Sequence, residues 1–546
     1  MEWVDVIAAA LLALKLLFIF VSLVFLVCGL DDLFVDLCYY GLTLYRRWFV
    51  LPLHPPPTEQ QLQEKPEQPI AIMLPAWDES AVIRPMLQRL LKTLNYGNYQ
   101  VFVGTYPNDT ATHREVEKVR EVSDRVQRIC TPADGPTCKA DCLNWIYQGI
   151  RRYEKDHQIR FEIFVMQDCE DVIHTLAYKM FNHLIPRNDM VQLPVFSLVR
   201  KWHEFTGGHY LDEFAQLHYK DLVVRELLDH SIPAAGVGCA FSRRAFEAAA
   251  ASNRNELFNI DSLTEDYDFG FRMKALGMKQ VFVKYSVVRQ VVRRHWLTGK
   301  ARVVQMKDYV SVREYFPSTF GSAVRQKGRW VVGITLQGWS SLHWRGGFST
   351  KYMLYRDRRA LITNFCNVLA YLVVLGVVTL WVVNALVPQS LRYPPVLEKG
   401  TWMWNLTLAN AGLLAWRVFH RAFCVQRLYD WTQAFLSIPR MVWGNFINFA
   451  ATARAVRLYA RFLRTGKLIA WDKTTHVFPS EEELPDAKTS LSDALYRGAP
   501  ATADLLDRVR ALQRDALVAQ ISVPEHKELD PVLSAQQGSA PTLQHS

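Results

Sequence analysis

Phe161-Glu162-Ile163-Phe164-Val165-Met166-Gln167-Asp168-Cys169-Glu170-Asp171 passes from an apolar β-type run straight into three carboxylates, and its reading decides the fold. Two earlier runs have the same make-up, Pro69-Ile70-Ala71-Ile72-Met73-Leu74 and Val101-Phe102-Val103-Gly104-Thr105. Short, continuously apolar runs are strands covered on both faces. Helical patterns lie between them at Ser80 to Leu94, where Ser80 is a candidate cap, and at Lys139 to Tyr153. The alternation predicts an α/β domain from Pro66 to about Trp344, with no internal repeat. Acidic groups at the carboxyl end of a buried strand stand where open α/β sheets hold their ligands.

On either side of this domain the chain turns apolar. Val4 to Leu30 is broken only by Asp5 and Lys15 and exceeds the roughly 20 residues that a bilayer-spanning helix needs. Its start, Met1-Glu2-Trp3, lacks the basic opening and the cleavage site of a signal peptide, so the segment is expected to remain as an anchor. Ala360 to Pro388 is a second expected crossing, and Trp402 to Phe419, after Pro394-Pro395, is a third. Trp431 to Ala451 contains Pro439, Arg440, Asn445 and Asn448 and reads as an interfacial or re-entrant helix. Arg46 and Arg47, then Arg417, Arg421 and Arg427, then Arg454, Arg457, Arg461 and Arg464 flank these runs. By the positive-inside rule they place the central domain in the cytoplasm. The division expected is 1–50 anchor, 65–345 catalytic domain, 346–480 membrane and interface helices, and 481–546 tail.

The net charge of +10 suits an anionic membrane face and a nucleotide diphosphate. It argues against a nucleic-acid partner, because the basic residues sit beside apolar runs instead of forming a stripe interleaved with aromatics. Of nine cysteines, Cys130, Cys138 and Cys142 lie close together without a zinc-ligand spacing, so reduced cytosolic thiols are expected. The tail opens with Glu481-Glu482-Glu483 and ends in a Gln/Ser/Pro-rich stretch from Gln536, which has the composition of disorder. Between them Ala503 to Ala519 carries Leu505, Leu506, Val509, Leu512 and Leu517 at helical spacing, for packing or for regulation.

Three constellations carry chemistry. Asp168 and Glu170 offer hard oxygen ligands to one divalent ion, Mg²⁺ or Mn²⁺, that bridges phosphates. Strand alternation puts those two on one side and Asp171 on the other, although an acidic turn alone accounts for all three. In Thr264-Glu265-Asp266, Asp266 is the candidate general base, its pKa raised by burial or by Glu265. The plainer alternative makes Thr264 a helix cap with both acids in the favourable first turn. In Gln326-Lys327-Gly328-Arg329-Trp330, Arg329 is a planar fork for phosphate, Trp330 a flat face for a sugar ring, and Gln326 a hydrogen-bonding group for either. Here the plainer alternative is an interface helix with Trp330 and Trp339 at headgroup level. A base, a diphosphate clamp and an aromatic platform in one chain point to glycosyl transfer from a sugar nucleotide.

The ordered motifs extend further: Pro75-Ala76-Trp77-Asp78-Glu79-Ser80, Asn108-Asp109, Lys139-Ala140-Asp141-Cys142-Leu143-Asn144, Asp168-Cys169-Glu170-Asp171, Gly236-Val237-Gly238-Cys239, Thr264-Glu265-Asp266 and Gln326 to Trp330. This set resembles the family-2 processive glycosyltransferases, the class of cellulose and hyaluronan synthases. The resemblance implies a GT-A glycosyltransferase domain, a Rossmann-like mixed sheet that carries a nucleotide between its first two strand ends, beside transmembrane and interfacial helices. It assigns Pro75, Ala76, Glu79, Asn108, Asp109, Lys139, Asn144, Asp168 and Arg329 to the nucleotide. It assigns Asp168 and Glu170 to the metal, Thr264, Glu265 and Asp266 to catalysis, and Gly236, Gly238, Cys239, Gln326 and Trp330 to the acceptor. Arg313-Glu314-Tyr315-Phe316-Pro317 and Trp471-Asp472-Lys473-Thr474-Thr475-His476 bring the chain nearest in look to inner-membrane phage adsorption proteins of the B type.

That likeness implies a nucleoside-diphosphate sugar donor, a UDP-sugar foremost, a growing surface glycan as acceptor, and an outer-membrane export partner. Two departures bear on donor specificity: Asn108 stands where the synthases carry an aspartate, and Glu170 replaces the second aspartate of the metal motif. Cyclic di-GMP control would rest on Leu491 to Gln513 alone, which resembles half of a Leu/Gln-rich binding module and lacks its glycine and arginine pattern; no Arg-rich motif of the PilZ kind is found. Two alternatives stand beside the polysaccharide reading: transfer to a lipid phosphate, and a membrane receptor or scaffold that keeps a dead transferase domain.

Overall fold

The computed structural model describes residues 3–294, 301–389, 392–466 and 476–480. The three apolar runs become β1 (Ile70–Pro75), β2 (Tyr99–Thr105) and β4 (Ile163–Met166), with β3 (Val126–Cys130) between the last two in sequence. β1 lies between β2 and β4, parallel to both, and β3 pairs parallel to β2. Adding β6 (Met190–Gln192), β8 (Cys239–Ser242) and β9 (Gln280–Phe282) completes a seven-stranded mixed sheet in the order β3-β2-β1-β4-β8-β6-β9, in which β8 runs antiparallel to both neighbours.

Every residue of β1 is buried, which is why its sequence shows no alternation. Ile70, Ile72 and Leu74 face one core with Met86, Leu87 and Leu90 of the Ile83–Thr93 helix. Ala71 and Met73 face the other with Leu143 and Ile146 of the Lys139–His157 helix. Each fully buried aliphatic side chain contributes about 1.5–3 kcal/mol, so the two-sided covering is what holds this central strand in place. This is the expected GT-A-type mixed sheet with helices on both faces.

The helix boundaries depart from the sequence pattern in two places. Ser80 is not a cap: the first helix starts at Ile83 after a turn in which the Glu79 carbonyl accepts from Val82 and Ile83. The loop is drawn instead toward the end of β2, where the Asp109 carboxylate accepts the Asp78 N–H at 2.6 Å. The second helix runs on from Tyr153 to His157 and stops at Gln158, which adopts a left-handed backbone.

Two small sheets flank the main one. β5 (Val172–Ile173) and β7 (Val195–Ser197) sandwich β12 (Val312–Glu314), and β10 (Ser286–Arg294) forms a hairpin with β11 (Ala301–Tyr309). All nine cysteines are unbonded, as expected of reduced thiols.

Among the described residues two segments, Asp5–Val50 and Phe348–Leu386, are long and apolar enough to cross a membrane. The third expected crossing, Trp402 to Phe419, lies within the Trp402–Leu428 helix, which is not one of these two. Trp431 to Ala451 is not re-entrant: it belongs to one continuous helix, Trp431–Thr465, with Pro439 inside it. Its polar residues are satisfied by neighbours, since Arg440 grips Asp212 at 2.7 and 2.9 Å, Asn445 donates to Tyr371, and Asn448 donates to Glu213. Polar groups paired in this way do not force a break in a helix. The tail features at 491–513, 503–519 and from 536 lie outside the described residues.

Candidate active site

Strand register brings the motifs together. Pro75 pairs with Gly104, Met73 with Met166, and Met166 with Cys239. The carboxyl ends of β1, β2 and β4 and the amino end of β8 therefore lie along one edge, and their loops meet above it. At the centre, the Lys139 ammonium sits 2.7 and 3.0 Å from the two oxygens of Asp168. Burial works against this charge, but Asp168, Glu265 and Asp266 outweigh it and hold Lys139 protonated. Gly236 closes the other side with φ +74°, and a Cβ built there would lie 2.7 Å from Asp266 Oδ2 and 3.2 Å from Lys139 Nζ. Asp168, Lys139 and Asp266, far apart in sequence, are thus brought together beside Gly236.

Thr264 occupies the N-cap position of the Glu265–Ala275 helix, yet its side chain makes no capping hydrogen bond. The plainer capping role is therefore not filled. Its hydroxyl is buried without a hydrogen-bond partner, and the missing side chain of Gly333 leaves the room it occupies. Burial first, then the charge of Asp266, raises Glu265 to about 8, against an opposing effect of Lys139. Burial also raises Asp266, while Lys139 and the Tyr267 N–H, donating to Oδ1 at 2.8 Å, favour its ionised form. Burial thus shifts both carboxyl groups upward, and both face the opposing charge of Lys139.

The loops expected to hold the nucleotide are cross-braced. Asp109 caps the Thr110–Arg120 helix through Thr112 N–H and also holds the Asp78 N–H. Asn108 makes a two-way contact with the Gly135 backbone, donating at 2.7 Å and accepting at 2.8 Å. Trp77 packs edge-on against Tyr106 with ring centroids 5.2 Å apart. Pro75 and Ala76 form the strand edge itself, with the Ala76 N–H on the Gly104 carbonyl. Asn144 is engaged elsewhere: its amide accepts from Leu257 and Phe258 N–H and donates to the Phe258 carbonyl. The structure thus makes it the brace of the 257–258 loop.

The acidic motif after β4 forms a turn and not a continuing strand, so alternation does not govern where its side chains point. Asp171 accepts the Asp168 N–H at 2.9 Å, and Glu170 turns toward the C-terminal segment. There His476 Nδ1 lies 2.9 Å from Glu79 Oε1 and 3.2 Å from Glu170 Oε2. The imidazole is held charged despite burial by Glu170 and Glu79. Burial, then Glu170 and Asp168, raises Glu314 of β12 as well. Neither His476 nor Glu314 was given a role from the sequence, although the motifs of residues 313–317 and 471–476 singled both out.

The sequence pattern of the glycosyltransferase like family 2 matches residues 66–333, which take in every residue of this arrangement except His476. Bacteriophage adsorption protein B of Escherichia coli (strain K12) is 38% identical over 550 residues, covering 99% of this chain and 73% of that protein. The chain belongs to glycosyltransferase family 2. The bacteriophage N4 adsorption protein B of E. coli O157:H7 matches to the same extent. Among solved structures, mannosyltransferase PcManGT from Pyrobaculum calidifontis, determined with GDP-Man and Mn²⁺, aligns with TM-score 0.44 and 13% identity over 79% of this chain and 99% of that one. Residues 1–349 of S. aureus TarS in complex with UDP align with TM-score 0.30 and 12% identity, over 75% and 95% of the respective chains.

In this glycosyltransferase the Gln326–Trp330 motif ends the Phe320–Trp330 helix. Gln326 Oε1 is buried with no hydrogen-bond partner among the described residues. Trp330 lies against Tyr210 and Phe214, each ring 6.0 Å from its own. Arg329 is half-buried on the same helix and close enough for its charge to act on Tyr210. Lys327 points away from the cleft, to Glu213 and Asn448. Cys239 is fully buried in the sheet core, and Gly238 gives its carbonyl to Leu193 and abuts Val312. Of the expected Gly236–Cys239 acceptor segment, Gly236 is the residue that faces Asp266.

Proposed function

We propose that this chain is a membrane-bound inverting transferase that moves a sugar from a nucleoside-diphosphate sugar, foremost a UDP-sugar, to a growing surface polysaccharide and passes the product outward. The observation that carries the reading is the cluster in which Asp168, Glu265 and Asp266 surround the Lys139 ammonium. Asp266 takes the proton of the acceptor hydroxyl as it attacks. Arg329 and Lys139 oppose charge on the leaving diphosphate. Gln326 and Trp330 orient the acceptor sugar. Asp168, Glu170, Asp171, Glu265, Asp266 and Glu314 outnumber Lys139 and His476, and this excess of carboxylates fits Mg²⁺ or Mn²⁺. Such an ion supplies charge neutralisation at the diphosphate.

The apolar helices and the arginines beside them support a multi-pass protein of the bacterial inner membrane with its catalytic domain in the cytoplasm. The name of the E. coli relative, a bacteriophage adsorption protein, supports a product displayed at the cell surface. An outer-membrane export partner and regulation by cyclic di-GMP belong to the same reading.

The test is hydrolysis and transfer from several UDP-sugars by the purified full chain in detergent with Mn²⁺. Asp266→Asn should keep donor affinity and abolish transfer; normal turnover in that variant removes the base assignment. Failure with every donor would favour a receptor or scaffold that has lost catalysis. Transfer to a lipid phosphate has one observation of its own: a polar cavity among the apolar helices, lined by Arg359, Arg417 and Arg421 together with the acids Asp32 and Glu213, of which Asp32 pairs with Arg359. Arginine forks suit phosphate oxygens. Sizing the products separates a polymer from a single lipid-linked sugar.

A further inference from the structure

We propose that the divalent ion is held by Glu79, Glu170 and His476, and not by the Asp168–Glu170 pair, so that the segment following the Trp431–Thr465 helix supplies an imidazole ligand to the active site. The inference rests on the metal-assisted reading above and changes its ligand set.

Three observations carry it. First, one ligand atom from each of these residues lies within 4.8 Å of the other two, and this is the one such group among the described residues. Opposite ligands of an octahedral ion bound at about 2.1 Å are about 4 Å apart, so small side-chain shifts bring all three onto one cation. Second, Asp168 is already taken, since both its oxygens are within 3.0 Å of the Lys139 ammonium. Drawing Asp168 onto a metal would set a divalent ion against that ammonium. Third, Glu170 is 5% exposed, and its Oε2 accepts no hydrogen bond from the described residues even though His476 Nδ1 is 3.2 Å away. The single Nδ1–H is directed at Glu79, which leaves the Glu170 oxygen facing the imidazole with nothing donated to it. A cation between the three groups satisfies every one of these atoms, with the imidazole neutral and bound through its ring nitrogen.

The three ligands come from the loop after β1, the turn after β4 and the C-terminal segment. Binding the ion therefore ties His476 to the loop after β1 and the turn after β4. A mixed nitrogen and oxygen set also selects the ion, because Mg²⁺ prefers oxygen ligands alone whereas imidazole suits transition metals. Mn²⁺ is accordingly the preferred cofactor over Mg²⁺.

The test is electron paramagnetic resonance of Mn²⁺ titrated into the full chain in detergent without donor. Bound Mn²⁺ should show electron spin-echo modulation from a directly bound ¹⁴N. H476Q should remove the modulation and weaken Mn²⁺ binding by at least about tenfold, the low end of what even outer-shell partners cost, while Mg²⁺ affinity stays nearly unchanged. D168N should leave Mn²⁺ affinity nearly unchanged. The proposal is overturned if wild-type protein with bound Mn²⁺ shows no ¹⁴N modulation, a result that needs no variant to fold. It is equally overturned if D168N abolishes Mn²⁺ binding while H476Q retains it. Donor turnover without ¹⁴N coupling would sink this ligand set alone, whereas ¹⁴N coupling without turnover on any donor would sink the transferase reading alone.

Discussion

Gly236→Ala tests the placement of the base without touching a titratable group. Two effects are built into the position. The backbone stands at φ +74°, where an L side chain costs about 1–2 kcal/mol. In addition the new methyl would lie 2.7 Å from Asp266 Oδ2 and 3.2 Å from Lys139 Nζ, so the carboxylate must move away from the point it shares with the lysine. A misplacement on the order of 1 Å at a reacting centre costs about 10²-fold, close to 2.7 kcal/mol of barrier. Transfer assays should therefore show kcat falling about a hundredfold while donor KM changes little, since the braced loops of Asp78, Asn108 and Asp109 are left as they are.

Gly277 supplies the control. It has nearly the same backbone, φ +70°, but no heavy atom within 4 Å of its built Cβ. Gly277→Ala should lower the melting temperature by a few degrees, as the strain term alone predicts, and keep kcat. Wild-type kcat in G236A would refute the assignment of Asp266. Equal losses of activity in G236A and G277A would also refute it, because strain and not the displaced carboxylate would then be the cause.

Asn144→Ala separates a brace from a nucleotide ligand. Leu257 N–H, Phe258 N–H and the Phe258 carbonyl lose their partner, so stability should drop by about 1–3 kcal/mol with donor affinity unchanged. Weaker donor binding at unchanged melting temperature would restore the nucleotide role. Glu265, raised to about 8 in the fold from an ordinary value of about 4.3, binds its proton more tightly folded than unfolded. Its contribution to stability is present below pH 4.3 or so and is lost as pH rises through about 8. Melting curves between pH 5 and 9, compared by roughly one-unit steps, should decline with pH in the wild type and flatten in Glu265→Gln; parallel slopes would exclude Glu265 as the titrating group.

How much of this was legible in the sequence depends on whether the cause was local. The strands were legible because β1, β2 and β4 are buried on both faces, and burial writes a continuous apolar run. The acidic turn and the Thr264–Asp266 motif were legible as chemistry, since carboxylates in such surroundings need a purpose. Their convergence was not, because it depends on the register that sets Met166 beside Cys239 and on the fold of Gly236 over Asp266. Asn144 resembled a ligand by its motif, and only the 257–258 loop, more than a hundred residues away, reveals what its amide does. Pro439 and Arg440 suggested an interrupted helix because the partner of Arg440, Asp212, lies on a helix that no local pattern links to it. His476 stood in a visible motif, but its neighbours Glu79 and Glu170 are close to it only in space.

The Glu265–Ala275 helix is also tied to the apolar helices. Tyr267, next to Asp266, donates its hydroxyl to Asp357 at 2.6 Å, and Asp357 is held in turn by Arg225 through two hydrogen bonds at 2.7 and 2.9 Å. Asp357 sits near the end of the Phe348–Arg358 helix, immediately before Ala360–Leu386, and both lie within one of the two segments long and apolar enough to cross a membrane. On the other side of the motif, Leu263 N–H donates to Gln337 and Gly333 accommodates Thr264, both from the helical segment Val331–Gln337 that follows Trp330. The residues on each side of Glu265 and Asp266 are therefore fixed by elements outside the α/β sheet. Charge–hydrogen-bond pairs of this kind are directional, so they set the angle of the helix and with it the aim of the Asp266 carboxylate. On the proposed reading, in which Asp266 is the base and Gln326 and Trp330 orient the acceptor, the aim of the base follows the apolar helices as much as the sheet.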